Sequence, residues 1–249
     1  MEQVTGFDKF VKAVIAAIQT VILPSLEDDR EALTEAVGNH LFDRPGPKRL
    51  EANPTRDERF ITKIFSATSE ILSATETLRD IELYIRRFPY RGTRITKPRH
   101  LRYHAEAFLN EVYLLKERLI ALLTVVERSY KRDARADLVR SVVQPLYTVV
   151  NEALKNPVLA RGSHIHEERF SDYQIGRLEM LDLLTNPGNL DSLKGYYGWE
   201  YRKIRKEWKD RIKENNEGVH RLLDFVADDL YPVLFDKDGE IVVPKPRAA

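Results

Sequence analysis

The sequence predicts an all-α protein, on three observations. Apolar residues recur at steps of three and four over long stretches. Pro- and Gly-containing breaks fall between those stretches rather than within alternating runs, and no strand-rich segment or internal repeat is present. At 249 residues with 43% hydrophobic and 32% charged side chains, the chain is long enough to bury a sizeable core. The expected architecture is a long antiparallel helical bundle in a single domain over 1–249. Residues 1–43 form an N-terminal helical hairpin whose helices flank Pro24, 54–235 form the main bundle, and 236–249 form a tail.

The element order follows from the apolar spacing. After the loop cluster Arg44-Pro45-Gly46-Pro47 through Pro54, one helix carries Phe60, Ile64, Phe65, Ile71, Leu72, Leu78, Ile81 and Ile85 on one stripe. The next has the cleanest seam: Phe108, Val112, Leu115, Leu119, Leu122 and Val126 alternate steps of four and three, as antiparallel bundles require. A third carries Leu138, Val142, Leu146, Val149 and Ala153, with Pro145 removing one backbone donor, and Asn156-Pro157 ends it. Ser171 followed by Gln174 is a capping-box spacing, so a shorter helix starts near Asp172, buries Ile175, Leu178 and Leu181, and closes at Asn186-Pro187-Gly188. The last rod is marked by Ile204, Trp208, Ile212, Val219, Leu222, Val226 and Leu230. Asp236-Lys237-Asp238-Gly239 after it begins like a calcium loop, but the spacing then fails and it reads as a turn.

Composition excludes several function classes. Forty Lys and Arg against thirty-nine Asp and Glu leave a net charge of +1, so binding to nucleic acid or membranes must come from local patches. Without cysteine there is no disulfide framework, thiolate metal site or cysteine nucleophile. The apolar stretch Phe10 to Leu23 is interrupted by Lys12 and Gln19 and falls short of the ~20 residues that span a bilayer. With no basic leader, the expectation is a cytoplasmic protein with no membrane partner. Phosphate-loop, dinucleotide-binding, zinc-protease and nucleophile-elbow motifs are all missing, and no cofactor is expected.

Chemistry concentrates in Arg161-Gly162-Ser163-His164-Ile165-His166-Glu167-Glu168-Arg169. The planar, permanently charged fork of Arg161 suits a phosphate, and His166 titrates near neutral pH, so it can exchange a proton with a ribose 2′-hydroxyl or a leaving oxygen without metal. On a regular helix a spacing of five turns the second side chain roughly 140° from the first, so convergence needs irregular backbone or two copies of the chain. Two other readings stand beside this one. The pair can bridge and cap a loop–helix junction, or His164 and His166 can take a metal with Glu167 or Glu168.

Arg161, four intervening residues and His166 match the R-x4–6-H motif of HEPN domains, and the bundle of long helices resembles their architecture. The resemblance implies a metal-independent endoribonuclease acting on single-stranded or loop RNA, with motifs from two protomers meeting in a homodimer. His166 is then the acid/base, Arg161 the phosphate partner, and Ser163, His164 and Glu167 supporting residues. It also implies a toxin–antitoxin or defence setting, with a protein partner such as an antitoxin. Other members are non-catalytic RNA- or protein-binding modules. Gly162 stands where active members commonly carry Asn or Asp.

Two basic stretches remain. Arg86, Arg87, Arg91, Arg94, Lys97, Arg99 and Arg102 occur without an acidic residue and interleave with Phe88 and Tyr90; they suit an RNA backbone beside stacked bases, or a solvated connection. Arg202, Lys203, Arg205, Lys206, Lys209, Arg211 and Lys213 surround an apolar stripe of Ile204, Trp208 and Ile212, as on an ordinary soluble amphipathic helix. Glu106 and Glu111 either orient a site residue or pair with Lys116 and Arg118.

Overall fold

Apolar stripes at the helical period become long rods in the computed structural model of the chain. The structure describes residues 6–21, 55–87, 95–157, 172–185 and 191–245. Among them run α1 (Gly6–Val21), α2 (Arg56–Ile85), α3 (Lys97–Tyr130), α4 (Ala136–Ala153), α5 (Tyr173–Thr185) and α6 (Lys194–Leu234), the last preceded by a 3₁₀ turn at Asp191–Leu193. The described residues hold no strand beyond an isolated bridge between Phe235 and Ile241, so the all-α class stands. The rest of the expected N-terminal hairpin, and the loop cluster from Arg44 to Pro54, lie outside the described residues.

Contacts divide the chain into two compact units. Unit 1 comprises Met1–Ser69, Ala121–Leu146 and Leu223–Ala249; unit 2 comprises Glu70–Ile120 and Tyr147–Leu222. In unit 1, Phe10 of α1 meets Phe235 edge to face at 5.9 Å, and Phe60 meets Tyr130 in the same manner at 5.7 Å. The amide of Phe7 donates to Asp224 Oδ1 at 2.9 Å, placing a carboxylate at the positive end of α1. A Cβ on Gly6 would press on the Asp228 carboxylate, which would have to shift. A reciprocal cap starts α2: Thr55 N–H donates to Glu58 Oε2 at 2.5 Å and Glu58 N–H to Thr55 Oγ1 at 3.2 Å.

The C-terminal segment is tied to unit 1. Gly239 adopts φ +83° in the turn, where Asp236 Oδ1 accepts from the amides of Asp238 and Glu240, both at 2.9 Å. Tyr130 O–H donates to the Val242 carbonyl. Buried Asp133 accepts from the Lys245 amide at 2.6 Å and the Arg135 amide at 2.8 Å. Burial alone would raise the Asp133 pKa, but these amides and the Arg135 guanidinium hold it below the ordinary carboxylate value.

Most expected stripes are buried as read, including all six seam residues of α3 and all seven marked residues of α6. The α4 stripe needs correction. Val139, Val143, Leu146, Val150 and Leu154 are buried, whereas Leu138 is 55% exposed and Ala153 faces solvent. Two apolar rows one residue apart both satisfy the helical period, and tertiary packing selects the one that Leu154 extends. In α5 the capping oxygen belongs to Asp172, whose Oδ1 accepts from the amides of Gln174 and Ile175 at 2.9 and 3.0 Å; Ile175 and Leu178 are buried and Leu181 is half-buried.

Candidate nucleic-acid interface

Helix α6 sorts its charges by face within unit 2. Glu200 and Glu207, seven residues apart, share one face: Glu200 is buried and pairs with Arg177, and Glu207 accepts from Gln174 Nε2 at 2.7 Å. At roughly 100° per residue, positions 202, 205, 206, 209 and 213 fall roughly 140° to 240° around the helix from Glu200. Glu200 and Glu207 are thus held toward α5, as is Arg211, 4.0 Å from Asp172, while these five cations collect on the opposite side. Arg202, Arg205, Lys206, Lys209 and Lys213, joined by Arg86 from just beyond the end of α2, line a cleft of about 560 Å³. Among the described residues no carboxylate lines it.

The wall is not uniformly free of counter-charge. Arg86 pairs with Glu82, Lys209 lies 3.3 Å from Asp210, and Lys213 lies 3.7 Å from Glu217. These pairs are exposed on at least one side, so each is worth little and yields readily to a stronger anion. Glu82 is positioned by Asn216 Nδ2, which donates to its Oε2 at 3.1 Å and to the Leu78 carbonyl at 3.2 Å.

Unit 2 also carries a histidine pair that sequence reasoning missed. His100 and His104, one turn apart on α3, place their Nε2 atoms 3.1 Å apart, with Tyr84 and Tyr103 against His104 at 5.9 and 5.2 Å. One imidazole must donate and the other accept, which requires at least one neutral ring. Burial, then the charges of His104 and Arg205, lower the His100 pKa from 6.5 to about 4. Burial lowers that of His104 as well. The i, i+4 spacing of His100 and His104 was the available signal.

The described residues of the first basic stretch have different surroundings. Arg86 lines the cleft and Arg87 is exposed beside it in sequence. Lys97 lies over the rings of Tyr197 and Tyr201 at 5.6 and 5.3 Å, the Arg99 amide donates to Thr96 Oγ1 at 3.4 Å, and Arg102 pairs with Glu179 at 2.5 Å. Arg91 and Arg94 lie outside the described residues, as do Arg161, Ser163, His164, His166 and Glu167. Glu111 pairs with Arg118 at 2.9 Å, which is its ordinary structural reading. Among the described residues no group of three or more His, Asp or Glu side chains gathers as a metal site, and no helix is long and apolar enough to cross a membrane. No family model, curated protein or solved structure matches the chain.

Proposed function

We propose that this chain binds RNA and holds its backbone phosphates in the six-cation cleft of unit 2. The observation that carries the reading is the wall itself: three guanidinium and three ammonium groups from two chain segments, with no carboxylate among them. Guanidinium forks suit phosphate oxygens bidentately, and ammonium groups add point charge. A chain of net charge +1 has no bulk attraction for polyanions, so local segregation supplies it.

Cleavage at Arg161 and His166 is the second part of the proposal and rests on the HEPN-like motif. His166 takes the proton of a ribose 2′-hydroxyl, whose oxygen bonds to the adjacent phosphorus as the bond to the 5′ oxygen breaks; the leaving oxygen takes up a proton, and Arg161 stabilises the charge on the phosphoryl oxygens. Two copies of the chain bring their motifs together, as the resemblance implies. Gly162, which offers no orienting side chain, favours the alternative of an RNA-binding module without catalysis.

Incubation of the purified chain with RNA and with DNA of the same sequence, in excess chelator, tests both parts. RNA is cut and DNA is not; Arg161→Ala and His166→Ala each abolish cutting while leaving RNA affinity within a few-fold of wild type. RNA that is bound but never cut leaves the binding module standing and removes the nuclease. RNA affinity unchanged in the double variant Lys206→Glu/Lys209→Glu contradicts the assignment of the cleft.

A further inference from the structure

We infer that Trp199 and Tyr196 form a base-stacking platform in line with the cation row, so that the cleft takes an unpaired strand with one or two bases laid against these rings. The inference rests on the reading of the cleft as a nucleic-acid site and names the form of the ligand.

Adjacent aromatic residues at the start of α6 divide between two environments. Tyr197 turns inward, its O–H donating to Asp182 Oδ1 at 2.7 Å, and Tyr201 is buried. Tyr196 and Trp199 turn outward: they are 46% and 51% exposed, with ring centroids 6.0 Å apart and planes 28° from parallel. Two large rings held against each other with half their surface in water are a poor use of apolar area for folding, and an amphipathic pair of this kind is characteristic of binding surfaces.

Their place on the helix links them to the cations. Trp199 and Lys206 are seven residues apart, so on a regular helix they lie within roughly 20° of one line and about 10 Å apart along the axis. Lys213 continues the line within roughly 40°. The cations from Arg202 to Lys213 extend about 16 Å, enough for some four to five phosphates at the ~3.4 Å axial spacing of one strand. Lys203, with Nζ 5.6 Å from the Trp199 ring centre, adds a charge at the platform itself.

The backbone beside the rings is also open. A Cβ built on Gly195 would meet nothing within 4 Å, and one on Gly198 would meet only the end of the Arg202 side chain at 3.7 Å. Glycine weakens a helix, and among the described residues no packing contact calls for it at these positions. A planar base approaching Tyr196 or Trp199 gains from the space. Bases within a duplex already stack on one another, so only an unpaired base can offer a face to these rings.

The test is a titration of the full chain, followed by anisotropy and tryptophan emission, with three probes: an unstructured ten-nucleotide RNA, the same RNA paired to its complement, and inorganic polyphosphate of similar charge. The single strand binds most tightly and quenches Trp199; polyphosphate binds without that quenching. Trp199→Ala weakens the single strand about tenfold and leaves polyphosphate within twofold, while Trp199→Phe retains most of the affinity. Tyr196→Ala, a smaller change at an exposed ring, weakens the single strand in the same direction and serves if Trp199→Ala folds poorly. Unchanged single-strand affinity in both alanine variants, or equal affinity for the duplex, overturns the platform and leaves these rings to another class of ligand, such as a protein. Indifference of all three probes to Lys206→Glu/Lys209→Glu removes the underlying reading of the cleft instead.

Discussion

In unit 1 the buried carboxylate of Asp133 accepts hydrogen bonds from the backbone at Arg135 and Lys245, and Tyr130 reaches the Val242 carbonyl. In unit 2, by contrast, Arg102 Nε, His104 Nδ1, Gln174 Oε1, Arg177 Nε and Asn216 Oδ1 are buried without a hydrogen-bond partner. Among the described residues, no buried side-chain polar atom of unit 1 is left in that condition. Leaving such atoms unpaired costs stability, as does gathering six cations on one cleft. Under the proposed function the segregated charge of unit 2 serves binding, while the closed-off polar groups of unit 1 hold the fold.

The largest expected effect tests whether unit 1 is structural. Phe10 is 1% exposed against Phe235, and Phe10→Ala lowers stability by about 3–5 kcal/mol while leaving RNA affinity unchanged under conditions where the variant is folded. Denaturant melts and a binding curve on the same preparation check it. A loss of affinity without a loss of stability breaks the division of labour.

Acid separates the units next. The His100 pKa is lowered from 6.5 to about 4, so between those values the unfolded chain takes up a proton that the folded one refuses. No penalty applies above pH 6.5, and stability is lost as pH falls toward 4. The lowered Asp133 pKa acts below the ordinary value of 3.8, and its stabilisation is lost only as pH falls through the folded value. Both tryptophans, Trp199 and Trp208, belong to unit 2. On acidification, denaturant midpoints read by tryptophan fluorescence fall between pH 6.5 and 4, and His100→Leu flattens that dependence. A flat wild-type profile across this window contradicts the environment described for the histidine pair.

Smaller effects sharpen the account of unit 1. Asp133→Asn replaces an acceptor of two backbone amides and is expected to cost about 1–3 kcal/mol, with unit 2 fluorescence at neutral pH unchanged. Thr55→Ala removes half of the α2 cap and costs about 1 kcal/mol, read from a thermal melt.

How much of this was legible in the sequence depended on whether one segment carried the whole signal. The α3 seam did, because the steps of four and three from Phe108 to Val126 run unbroken and all six residues are buried. In α4, Leu138 and Val139 open two equally apolar rows, and periodicity alone does not choose between them. The Thr55-x-x-Glu58 cap was present as a pattern, one residue beyond the Pro54 that marked the loop. The cleft was hidden for two reasons. Arg86 lies more than a hundred residues from Arg202, and Glu200 precedes the cations in sequence while Glu207 and Asp210 interrupt them, although Glu200 and Glu207 leave them in space. Three-dimensional charge segregation of that kind becomes visible only when the partners of the carboxylates are known.

The central claim is that the cations of α6 and Arg86 hold an RNA backbone, and the salt dependence of binding tests it most directly. For a single strand each phosphate neutralised contributes about −0.7 to the slope of log affinity against log salt, so full engagement of six cations gives a slope near −4. The account predicts a slope between about −3 and −4 for wild type, and a slope shallower by about 1.4 together with a loss of a hundredfold or more for Lys206→Glu/Lys209→Glu. A slope near zero, or the same slope and affinity in the double variant, contradicts it.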